Sequence, residues 1–441
     1  MDLLFHVISI SFYFLGYFLF AYSIFRNESL HLSYSLGILV FLTLQYGPHT
    51  VIFTDMLRLS IYADSEFVNQ IYNFMMGFVF FVFAVLLLIL PGRAVIGGEI
   101  NEVKDFSYEG LLKYRKRFAW ALFFIFLVSF LLQGGGKIAL EHLQFMFGSS
   151  FFSYKEIRRE MFADSLWSKF ADLIRFSIVP VIYSYFLILG LVSKVYKVKV
   201  FYIAISVFFV IFSVIQLNKF FFLYYSVLSL IIVFSLNKLE WGMIKSSTML
   251  KALPLFIIGM LLFLLLILSL YRFQYSQALD QGLIDFEDIV NTLFFRVFFA
   301  SSDSLRLWID YFGVSEQYQG FNIIGKICNL FGSCFNPNTF IPYHYLGREL
   351  TSMQAGFLGT ALGFGGFFAI PFVSVLVVSV IAFNNCVLNS IRSGYLLIAF
   401  SPIMLINSFF LTTREFHTAL LSGGAIFTAL FIIMIINRFK V

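Results

Sequence analysis

The chain reads as an all-α integral membrane protein with about eleven transmembrane helices, on three observations. Hydrophobic residues make up 60% of its 441 positions and charged residues only 12%, against roughly 25% charged in a soluble domain. Apolar stretches long enough to cross hydrocarbon recur along the whole length, and the basic residues between them collect in alternate loops. Helices are expected rather than barrel strands, because a backbone in lipid must satisfy its own amides and no alternating pattern appears. The 62 Phe and 23 Tyr suit a lipid-facing surface. The net charge of +6 is spread over short loops rather than gathered in a run, so it does not point to nucleic acid.

A span takes about 20 apolar residues. On that rule the spans fall near 3–25, 33–54, 70–91, 118–134, 171–193, 200–216, 220–236, 252–272, 355–383, 395–411 and 418–437. The opening Met-Asp-Leu-Leu places no basic residue before its apolar stretch, so the first segment is expected to remain as a spanning helix rather than a cleaved signal. Gly47-Pro48 and Ile370-Pro371 are expected kinks. No hydrophilic block is long enough to be a soluble domain, and 1–441 is read as a single polytopic membrane domain.

Orientation follows Lys and Arg in the loops. The 92–117 connection carries Arg93, Lys104, Lys113, Arg115, Lys116 and Arg117 and is assigned to the cytoplasm. Lys194, Lys197 and Lys199 then fall inside, as do Lys238, Lys245, Lys251, Arg438 and Lys440, giving an N-out, C-in arrangement. Two outer loops are long, 135–170 and 273–354, and loops of that length usually have a function. Within the second, 284–312 mixes apolar and charged positions in a pattern that suggests helices lying in the interface. Cys328 and Cys334 share this loop; a disulfide and a pair of free thiols both fit their spacing.

The outer side and outer helix ends hold Arg58, Arg158, Arg159, Arg175, Arg272, Arg296, Arg306, Arg348 and Arg414, nine of the fifteen arginines, while lysine is distributed the other way. Arginine is the residue suited to bidentate capture of phosphate. A lone charge at a helix centre costs about 2.5–3.5 kcal/mol on insertion scales, so each one near hydrocarbon needs a partner or a ligand. Local pairing is one reading, since Asp55 and Arg58, Asp172 and Arg175, and Asp303 and Arg306 are each at i,i+3 spacing. An anionic ligand is the other. Thr412-Thr413-Arg414-Glu415-Phe416-His417 puts a guanidinium, a carboxylate and an imidazole at the outer mouth of the last two spans; it reads equally as proton-transfer chemistry or as an interfacial turn. Lys219, in a tight outer turn, either snorkels to headgroups or faces a phosphate. The Gly359-x-x-x-Gly363 spacing favours close helix packing over a ligand loop. There is no Walker-type phosphate loop, no His/Cys metal cluster and no Gly-x-Ser-x-Gly turn, so no cofactor or metal is expected.

Taken in order, several short features resemble the Wzy-type polymerases of bacterial surface polysaccharides, the O-antigen, capsule and enterobacterial common antigen polymerases. They are Lys219 at a mid-chain outer turn, Arg296-Val-Phe298 at the head of a long outer loop, the Asn336-Pro337 and Ile341-Pro342 stretch, the Gly356-to-Gly366 opening of the next span, and Arg414-Glu415 outside the last one. The family often has arginine at the turn where this chain has Lys219. The resemblance implies a GT-C-like glycosyltransferase of the bacterial inner membrane. Such an enzyme joins polyprenyl-diphosphate-linked oligosaccharide units without a metal, beside a chain-length regulator and a flippase as partners. Under it, Arg296, Arg414 and Lys219, with Arg158, Arg159 and Arg348 behind them, are the candidates for holding diphosphate. Glu415 is the first candidate for general base, followed by His417 and Asp303. An O-antigen ligase would use similar residues. A flippase or secondary transporter should instead show paired halves and charges near the membrane centre.

Overall fold

The computed structural model describes residues 2–25, 33–53, 66–91, 108–112, 115–132, 166–215, 219–240, 285–320, 335–347, 353–421 and 423–439. Among them the structure is helical, with no strand. The first half contains α1 (Asp2–Phe25), α2 (Tyr34–Tyr46), α3 (His49–Ile52), α4 (Glu66–Ile89), α5 (Tyr108–Leu112), α6 (Arg115–Leu132), α7 (Leu166–Val192), α8 (Tyr196–Ile215) and α9 (Lys219–Glu240). The second contains α10 (Phe286–Phe298), α11 (Ala300–Trp308), a π-helical turn (Ile309–Val314), α12 (Pro337–Leu346), α13 (Gly356–Gly365), α14 (Ala369–Asn389), α15 (Gly394–Thr413), α16 (Phe416–Leu421) and α17 (Ala425–Phe439).

Six stretches among the described residues are long and apolar enough to cross a membrane: Leu4–Phe25, Tyr34–Ile52, Glu66–Ile89, Gly356–Asn389, Gly394–Thr413 and Phe416–Ile436. Phe176–Val192 and Tyr224–Leu236 are shorter apolar helices, and the expected span 252–272 lies outside the described residues. Large apolar side chains point away from the bundle, with Phe18 63%, Phe372 74% and Phe368 85% exposed. In water such a surface would aggregate; against lipid it is what a multi-pass protein needs.

Packing inside the bundle relies on small residues and buried polar links. α1 lies along α4, and a Cβ added to Gly16 would stand 2.3 Å from the Gly77 carbonyl oxygen, so only glycine permits that approach. The Tyr224 hydroxyl donates to Asn407 Oδ1 at 2.9 Å, and Asn407 Nδ2 donates to Thr428 Oγ1 at 3.0 Å, tying α9, α15 and α17 together.

Gly47-Pro48 does interrupt its span: α2 stops at Tyr46, and Pro48 caps the short α3 without needing an amide donor. At the second expected kink the break comes earlier than Pro371. Gly366 adopts φ +62°, and a 3₁₀ turn over Gly366–Phe368 separates α13 from α14. Pro371 then sits in the first turn of α14, where a missing N–H costs little.

The 284–312 segment divides into two different helices. α10 opens with a capping box between Asp285 and Asp288 and exposes Val290, Phe294 and Val297, the amphipathic surface helix expected there. α11 departs from that expectation. Ser302 through Trp308 are all buried, because the helix enters the end of the bundle against α2, α4 and α13.

The described helix ends gather in two places. The start of α2 meets the end of α14, where Asn385 Oδ1 accepts from the Tyr34 amide at 2.9 Å and its Nδ2 donates to Ser35 Oγ at 2.7 Å. At the opposite end, α3, the start of α4, α11, α12, the start of α13 and the end of α15 converge.

Candidate functional site

That second end contains two polar clusters. The first surrounds Arg306, which is 1% exposed. Its Nε donates to Asn69 Oδ1 at 2.7 Å, Nη1 to the Ser302 carbonyl at 3.1 Å and Nη2 to the Thr50 carbonyl at 3.2 Å. The guanidinium carbon lies 4.0 Å from the centre of the Tyr72 ring. Burial draws the guanidinium below its usual value, and the nearby Tyr72 and Asp303 work the other way; arginine titrates so high that it remains a cation. Asp303, one helical turn before, is 4% exposed. Of the two readings for Arg306, these contacts favour an internal clamp, since its donors are directed at the protein's own carbonyls and amide.

The second cluster forms where α15 stops. Thr412 and Thr413 both turn their hydroxyls back to the Phe409 carbonyl, at 2.9 and 2.8 Å, and Arg414 takes an extended backbone (φ −103°, ψ 158°). The next residue, Glu415, therefore projects from a helix-to-helix turn. Its Oε1 accepts from Asn338 Nδ2 at 2.6 Å. Its Oε2 is 3.1 Å from His417 Nε2 and accepts from Thr418 Oγ1 at 3.3 Å. Asn338 is delivered by α12, which starts at Pro337 with its fixed φ already helical. The turn is pinned by the Phe416 amide, which donates to Thr360 Oγ1 on α13 at 2.9 Å. Beside it, the Arg414 guanidinium lies over the Phe176 and Phe410 rings, 4.6 Å from each centre.

The two clusters are linked. Trp308 Nε1, on the Arg306 helix, donates to the Met353 carbonyl at 3.3 Å, and the Met353 amide donates to the Asn338 carbonyl at 3.0 Å. A run of direct contacts thus leads from the buried arginine to the Glu415 carboxylate.

Of the residues singled out in the sequence, Glu415 and His417 are brought together, with Arg414 adjoining them in the chain. Asp303 belongs to the Arg306 helix. Arg296 is exposed in the last turn of α10. Lys219 opens α9, and its side chain lies outside the described residues, as do the whole of Arg158, Arg159 and Arg348 and both Cys328 and Cys334. Cys386, the remaining cysteine, is an exposed free thiol. The residue that sequence reasoning missed is Asn338. Its signal is faint: a polar position one residue into a helix that Asn336-Pro337 announces.

The glycine-rich opening of α13 serves close packing. Gly356 holds φ +61°, and a Cβ there would lie 2.0 Å from the Thr412 carbonyl oxygen, so α13 butts directly against the end of α15. At Gly359 a Cβ would meet the Trp308 ring at 2.8 Å. Gly356→Ala is expected to destabilise the protein by at least about 1–3 kcal/mol from the left-handed backbone alone. Thermal unfolding in detergent would reveal it, with an unchanged transition counting against the close approach.

The described fold and site together define a helical, multi-pass membrane protein with a built polar cluster at one end of its bundle. No protein-family model, no curated protein and no solved structure matches the chain.

Proposed function

We propose that the chain is a glycosyltransferase of the bacterial cytoplasmic membrane that polymerises polyprenyl-diphosphate-linked oligosaccharide units on the outer face. The observation that carries this reading is the 2.6 Å hydrogen bond between Asn338 and Glu415. It joins two of the separate features on which the family resemblance rests, the Asn336-Pro337 stretch and Arg414-Glu415, although the bonded partners are 77 positions apart in the chain. A carboxylate, an imidazole and a guanidinium then occupy one turn. In this reading that turn faces outward, and the chain crosses the membrane eleven times, N-out and C-in.

The chemistry asks little of the protein beyond placement and charge. A hydroxyl of the incoming lipid-linked unit attacks the anomeric carbon of the growing chain. The bond from that carbon to the diphosphate oxygen breaks, polyprenyl diphosphate leaves, and the hydroxyl proton passes to a base. Stabilising charge on the departing oxygen is the task for arginine; Arg296 and Arg414 are the described candidates, and Arg414 is the one beside Glu415. Orienting two large lipids supplies the rest.

The test is surface polysaccharide from a deletion strain, separated on a gel with and without the wild-type gene. A ladder that collapses to single units and is restored by the gene supports polymerisation. Polymer accumulating on its lipid carrier would mean ligation instead, and an unchanged ladder would favour transport.

A further inference from the structure

We infer that His417, rather than Glu415, takes the proton of the attacking hydroxyl, with Glu415 as its positioning partner and Asn338 as a second acceptor for a neighbouring hydroxyl. This rests on the polymerase reading above.

Both oxygens of the Glu415 carboxylate already have partners. Oε1 accepts from Asn338, while Oε2 is shared by His417 and Thr418. Three of its roughly four lone pairs are taken, so at most one is left for a new proton. The partners, in contrast, have acceptors to spare. Because a carboxylate only accepts, the Asn338 amide must turn its Nδ2 toward Glu415, which leaves Oδ1 pointing elsewhere. Because His417 offers Nε2 to the same carboxylate, its proton belongs there, and Nδ1 carries a lone pair. A proton on Nδ1 would be a buried donor with nothing to receive it, a more costly orphan than an acceptor. Among the described residues, both His417 Nδ1 and Asn338 Oδ1 are buried and have no hydrogen-bond partner.

Two buried acceptors flank one carboxylate, and both lack a donor. The ligand chemistry that suits them is a pair of hydroxyls, such as neighbouring positions of a sugar ring. A phosphate or a carboxylate would bring further acceptors and would not. The cluster therefore suits the acceptor sugar, and the diphosphate belongs with the cations. In the reaction His417 Nδ1 receives the hydroxyl proton as the glycosidic bond forms. The imidazolium then rests against the Glu415 carboxylate until the proton is released to solvent.

The experiment is ¹⁵N NMR of the full chain in lipid nanodiscs with labelled histidine, the His417 signal being identified by its loss in His417→Asn. The wild type should show the Nε2-protonated tautomer. In Glu415→Gln a single amide oxygen replaces the two that meet Asn338, His417 and Thr418, so the ring should shift toward Nδ1 protonation. An Nδ1-protonated wild type, or a tautomer untouched by Glu415→Gln and equally untouched by Asn338→Ala, overturns the inference. Chain extension is measured on the same variants. His417→Ala should lose about 100-fold or more in rate, at least as much as Glu415→Gln. If Glu415→Gln alone is inactive while His417→Ala retains rate, Glu415 is the base and the inference falls. If the tautomers are as stated but the wild type extends no chain, it is the polymerase reading that fails.

Discussion

Arg306→Ala is expected to cost the protein about 3–5 kcal/mol, enough to remove most of it from the folded pool. The residue is 1% exposed, and its donors hold Asn69 Oδ1 and the carbonyls of Thr50 and Ser302. Truncation strands these acceptors, leaves the buried Asp303 carboxylate without its nearby cation, and opens a void under the Tyr72 ring. Arg306→Lys should rescue little, because an ammonium cannot present three donors from a planar fork. Thermal unfolding of the purified variants decides the matter. A transition unchanged in Arg306→Ala would mean that these contacts do not hold the end of the bundle together.

Arg414→Ala should behave in the opposite way: normal amounts of folded protein in the membrane, and a loss of about 100- to 1,000-fold in polymerisation. The guanidinium is half-buried against the Phe176 and Phe410 rings. Such contacts contribute about 0.5–1 kcal/mol each at accessible sites, a small part of the stability of about 5–15 kcal/mol that holds a domain folded. Stabilising a departing diphosphate is worth several times more. Membrane abundance and polysaccharide ladder are the two readouts. Variant protein that disappears from the membrane would assign Arg414 to structure, whereas abundant protein with a normal ladder would remove it from the mechanism.

The different behaviour expected of these two arginines could not be read from the sequence, where Arg306 and Arg414 belonged to one group of nine outer arginines. Asp303 at i,i+3 suggested a local pair for Arg306, and the two charges do act on each other, but the bonds to Asn69 and Thr50 come from 237 and 256 positions away. A partial signal was present: Asn69, Gln70 and Asn73 are buried at the start of an otherwise apolar span, and polar groups there need a partner. The six described spans were legible, because hydrocarbon thickness fixes their length and composition. Ends were legible to a few residues only. The third span reads from 70 by hydropathy, while its helix begins at Glu66, whose carboxylate accepts from Gln70 at 3.1 Å. The interruption near 370 was foreseen at Pro371 and occurs at Gly366, because a left-handed glycine breaks the helix before the proline is reached. Glu415 and His417 were legible as a pair by their adjacency. Asn338 was not, since a hydrogen bond across 77 residues leaves no local pattern.

The most direct test of the central claim uses purified protein in liposomes, supplied with the lipid-linked saccharide that accumulates in the deletion strain. The proposed activity predicts lengthening chains, with one polyprenyl diphosphate released for each new linkage. Folded protein that leaves the units unextended, or that only moves them across the bilayer, would contradict it.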